Sequence, residues 1–106
     1  LVTTRERLDA DRERIASVVG ELRDGYQRVI DDPEAALADE LDAVPGLDEE
    51  TLAAQLDALG GAFEPPLAID RREIERWADY VVDYGIVEQR PDVDAAFDFD
   101  LANGTS

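Results

Sequence analysis

The sequence predicts a mainly α protein, with about four helices behind a short N-terminal strand. Three observations carry that prediction. Apolar residues recur at helical spacing along most of the chain. Aspartate, proline and glycine stand where helices begin and end. The opening LVTT is apolar and β-branched before it breaks into RERLDADRER. With 106 residues the chain is large enough to bury a core and too short to divide into several cores, so residues 1–106 are expected to form one domain.

Leu1 to Thr4 read as the last residues of a strand whose sheet lies elsewhere, with the strand itself over Leu1 to Thr3. From about Asp9 to Asp31, the residues Ile15, Val18, Val19, Leu22, Tyr26, Val29 and Ile30 follow i, i+3, i+4, i+7 spacing, the pattern of one long amphipathic helix. Gly20 and Gly25 lie inside it at a cost of about 1 kcal/mol each relative to Ala, which predicts close packing of another element against them. Asp32 then caps a second helix, Pro33 suits its first position and Glu34 favours its positive end; it should run to about Ala43.

Pro45-Gly46 form a turn and Asp48 caps a third helix with the stripe Leu52, Leu56 and Leu59, which Gly60-Gly61 stop. AFEPPLAID is extended, because Pro66 disfavours helix at Pro65 and neither proline donates a hydrogen bond. In the fourth helix Asp70 and Glu73 have capping-box spacing and Ile74, Trp77, Val81 and Tyr84 share one face. Gly85 takes the left-handed C-terminal position and Ile86 folds back onto Val81. A short turn through DVDAAF seats Phe97, and the tail 101–106, LANGTS, is expected to fray.

Composition narrows the chemistry. Without cysteine there are no disulfides or thiolate metal sites, and without histidine the usual general base and the commonest transition-metal ligand are gone. Acidic residues number 27 against 10 basic ones, all arginine, for a net charge of −17. Such a surface repels nucleic acid and anionic lipid, both of which are bound through cationic neutralisation of phosphate. The hydrophobic content of 44%, at helical spacing, separates the chain from a disordered polyanion. The charge is read as a surface adapted to high salt, where the Debye length falls to about 3 Å at 1 M, and so points to a halophilic source, with an acidic partner-binding face as the alternative. No apolar run approaches the roughly 20 residues that span a bilayer, so no direct membrane insertion by this segment is expected. Met is absent throughout, position 1 included, which predicts a processed product or an excised piece.

Carboxylates abound, yet acid-base catalysis needs two that converge in a pocket and differ in pKa, and spacing alone shows no such pair. PDVDAAFDFD lacks the Gly and the closing Glu of a helix-loop-helix calcium loop and offers at most a weak surface cation site. No phosphate-cradling glycine loop, nucleophile elbow or metal-binding helix motif is present. The sequence therefore nominates no catalytic residue, no metal ligand and no cofactor, and predicts a protein that is not an enzyme. Trp77 reads as core. Tyr26 is the single candidate ligand-binding residue, because its hydroxyl can stay at a cleft edge.

Taken in order, LVTT, RERL, RDGYQRVIDDPEAAL, VPGLDEETLAAQLDAL and ERWADYVVDYGIVEQRPDVDAAF resemble the C-terminal third of ABC-transporter substrate-binding proteins of the thiamine pyrimidine precursor class. The resemblance spans nearly the whole chain, and binders of nitrate, sulfonates or riboflavin share much of the region. It implies a C-terminal fragment of a two-lobed α/β periplasmic-binding-protein-like fold, from a halophilic archaeon, in which these helices close over a sheet. It further implies an extracytoplasmic solute-binding component of an importer, membrane-associated through the longer protein. The expected partners there are an ABC permease and a small-molecule solute, hydroxymethylpyrimidine or its formylamino precursor. Fungal relatives synthesise the pyrimidine from their own histidine with a bound pyridoxal cofactor, so a cytoplasmic thiamine-biosynthesis enzyme is one alternative. A stand-alone helical interaction module is another.

Overall fold

Thr4 opens a helix where the sequence predicts the end of a strand. In the computed structural model, which describes residues 1–105, its hydroxyl oxygen accepts from the Arg7 amide at 3.1 Å and caps α1, Arg5–Ala10. Leu1 and Val2 ahead of it are exposed, and no strand occurs among the described residues. The reason is elementary: an isolated extended segment leaves its backbone donors and acceptors unpaired, whereas a Thr followed by helix-forming residues has a local solution as an N-cap.

The long first helix is divided. Asp11 closes α1 and precedes α2, Arg12–Asp31, with φ −124° and ψ 30° outside the helical basin. The Arg7 guanidinium meets its carboxylate at 2.9 Å across this joint. Asp32 both ends α2 and caps α3, Pro33–Ala43, accepting from the Ala35 amide at 3.1 Å. Gly46 turns the chain with φ +86°, a value that glycine adopts at little steric cost. Asp48 then caps α4, Glu49–Leu59. The α-helix stops at Leu59, ahead of Gly60-Gly61, as expected. Beyond the stop the chain tightens into a 3-10 turn over Gly60–Phe63, and neither glycine takes the left-handed conformation.

Two compact units make up the chain, Leu1–Leu67 and Ala68–Ser106. In the first, α1 and α3 each pack on α2, α4 packs on α3, and the 3-10 turn returns to α2. Leu8 and Val19 are its buried apolar residues. Nothing lies within 4 Å of where a Cβ would sit on Gly20 or Gly25. The close packing expected at these glycines is therefore absent.

The second unit is organised around α5, Arg71–Asp83. Asp70 caps it by accepting from the Arg72 amide at 2.8 Å rather than from Glu73. At its end Ile86 donates to the Val81 carbonyl and Gly85, with φ +68°, to that of Val82, the paired bonds of a Schellman stop. The backbone folds back as expected, but the Ile86 side chain stays exposed. Two short helices follow, α6, Val93–Ala96, and α7, Phe99–Asn103. The tail expected to fray is thus helical through Asn103, with Leu101 buried, Gly104 left-handed at φ 71° and the Thr105 amide bonded to the Asp100 carbonyl; Ser106 lies outside the described residues. Asn103 pairs with both backbone groups of Ile69 at 2.8 and 3.1 Å and so fastens the end of the unit to its beginning.

Candidate functional site

Trp77 is 44% exposed and touches Phe97 edge-on, with ring centroids 6.1 Å apart, so it is not core. The residues that α5 buries are Ala78 and Val81, and Val93 of α6 and Leu101 of α7 are buried in the same unit. Ala78 is fully buried. The indole is left on the flank of the buried stripe rather than along its middle.

Acidic residues in PDVDAAFDFD serve the backbone. Asp92 caps α6 through the Ala95 amide at 3.1 Å, and Asp98 caps α7 through Leu101 at 2.9 Å. Asp94 meets Arg71 at 2.7 Å, and Asp100 accepts from the Thr105 hydroxyl at 3.3 Å. The spacing that suggested a weak cation site is therefore the spacing of two helix starts. Among the described residues no group of three side chains is placed to hold a metal ion. Arg71 also lies over the Phe99 ring at 4.2 Å, and Arg90 binds Asp79 at 2.8 Å together with the Glu75 carboxylate. Asp79 first and Glu75 second hold the Arg90 guanidinium still more firmly protonated than usual.

The concave feature of the first unit is a groove of about 430 Å³. Its floor is apolar, with Val29, Ile30, Leu37, Leu56 and Phe63, and Glu34, Asp57 and Glu64 stand among the lining residues without a basic side chain. Each wall follows from local sequence. Pro33 at the first position of α3 places Glu34 at its N-terminal turn, and the 3-10 turn after α4 carries Phe63 back toward α2. Tyr26, the residue nominated from sequence, is half-buried and absent from the groove lining. Its ring instead packs against Phe63 with centroids 5.3 Å apart and an interplanar angle of 49°. Phe63 is the aromatic that the groove presents. The sequence concealed it inside AFEPP, whose prolines indicate an extended crossing.

No family model, curated protein or solved structure matches the chain. No helix among the described residues is long and apolar enough to cross a membrane.

Proposed function

We propose that this chain acts by binding rather than by catalysis, with the groove of its first unit forming one wall of a small-molecule site. The observation that carries the reading is an apolar floor with Phe63 braced by Tyr26 and three carboxylates nearby. Small-molecule sites combine such apolar walls with a few polar groups, in volumes of roughly 300–1,000 Å³. This groove is open and so offers one wall, where high affinity needs enclosure on two sides.

The finer reading is that the chain belongs to the extracytoplasmic solute-binding component of an ABC importer, working with a permease on a thiamine pyrimidine precursor. It rests on the order and spacing of sequence motifs alone. Calorimetry tests both levels. The chain by itself should give no heat with hydroxymethylpyrimidine or its formylamino precursor, because one open wall leaves the solute half solvated and each hydrogen bond adds only about 1 kcal/mol net against the roughly 8 kcal/mol behind micromolar binding. A longer protein that carries this segment should bind at least one of them, and Phe63→Ala there should weaken binding. A longer protein that ignores both compounds removes the pyrimidine assignment. Binding that is indifferent to Phe63→Ala removes the groove.

A second reading, a helical interaction module, is favoured by the aromatic side chains that α5 turns to solvent.

A further inference from the structure

Trp77 and Tyr80 on α5 and Tyr84 at its C-cap follow i, i+3, i+7 spacing, and Tyr80 and Tyr84 are 52% and 72% exposed. The two tyrosine rings lie against each other with centroids 4.5 Å apart. Phe97 supports one edge of Trp77. Together with Glu73, Arg76, Asp79 and Asp83 these aromatics line a shallow groove along the helix. Three carboxylates therefore accompany one guanidinium, on a chain whose net charge is −17.

We propose that this face docks an arginine-bearing extended segment of a partner protein. Aromatic faces attract cations through the ring quadrupole, and a guanidinium can stack on a ring while its fork reaches a carboxylate. The second unit already contains that arrangement within itself: Arg71 lies 4.2 Å over the Phe99 ring while bonding Asp94 at 2.7 Å. On the outer face the rings and carboxylates are present and the incoming guanidinium is what the partner supplies. Asp79 is held by Arg90, which leaves Glu73 and Asp83 to flank the aromatic row. Ten residues of helix separate them by about 15 Å, a distance that four to five residues of extended chain span at about 3.3 Å each. The preferred segment thus carries two arginines at that spacing. A second copy of the same chain is disfavoured as occupant by its own negative charge.

Trp77 is the only tryptophan, so its fluorescence reports this face directly. The experiment is a titration with the peptide RGSGR, at the lowest salt where circular dichroism shows the chain folded. Parallel titrations use its citrulline counterpart and the isomer RRGSG. We expect saturable quenching by RGSGR, none by the citrulline peptide and weaker binding of the isomer. The double variant Tyr80→Ser/Tyr84→Ser keeps the charge and removes only exposed rings; it should lose about tenfold in affinity, the loss expected from two cation-ring contacts. Equal affinity in the variant would reduce the effect to attraction by a polyanion and overturn the proposal. So would no quenching up to millimolar peptide, or a dimer in sedimentation that the double variant abolishes.

Discussion

Replacing Gly20 and Gly25 by alanine should stabilise the first unit. Both lie in the interior of α2, and a Cβ at either position meets nothing within 4 Å. Alanine thus removes unfolded-state freedom and improves helix propensity without a steric cost, at about 0.5–1 kcal/mol per site. Five residues of helix separate the sites by about 7.5 Å and no neighbour is shared, so the effects should add to about 1–2 kcal/mol. For a unit of this size that is an increase in Tm of roughly 5–15 °C, measured by far-ultraviolet circular dichroism. Gly46→Ala is the control of opposite sign. It too faces open space, but its φ of +86° strains any side chain, and the substitution should cost about 1–2 kcal/mol. A double variant that melts at or below the parent temperature would refute the reasoning and show that α2 is covered along these glycines. A neutral Gly46→Ala would refute the left-handed turn.

Leu101→Ala should destabilise the second unit by about 2 kcal/mol or more, because the residue is a buried apolar side chain of that unit; a Trp77 fluorescence melt that does not move would mean that the tail contributes nothing. Asp48 accepts from the Thr51 hydroxyl at 2.6 Å and the Thr51 amide at 2.9 Å, and these bonds, the hydroxyl first, hold its carboxyl below the ordinary aspartate value. The depressed value means that its stabilisation of α4 is complete above the unfolded-state value and is lost as pH falls through the folded one, below about pH 4. Thr51→Val should return the Asp48 titration toward the ordinary value, as followed by carboxyl NMR. With a net charge of −17, helicity and Tm should rise from low to molar salt as acidic faces are screened, and a flat salt series would sink the reading of the charge as an adaptation to salt.

Local chemistry was legible. Asp32 with Pro33, Asp48, and the Gly85 stop act within one helical turn of themselves, so their meaning is independent of what packs elsewhere. A mainly helical chain follows from them and from the apolar period. By itself the sequence also determined the surplus of negative charge and the poverty of catalytic side chains, since both are sums over residues. The tertiary structure decided which edge of each stripe was buried. On α5 the period marked a face to within a residue or two, but only the tertiary structure selected Ala78 over Trp77. Leu101 is likewise buried in a tail that looked free to fray. The strand at Leu1 to Thr3 failed for the complementary reason: a strand is a relation between segments, and no described segment pairs with this one. Phe63 entered the groove because the chain tightened into a 3-10 turn after α4 stopped, which set its ring against Tyr26 across 37 residues of sequence. Caps and periods are short-range properties that a sequence carries, whereas burial depends on where distant atoms come to rest.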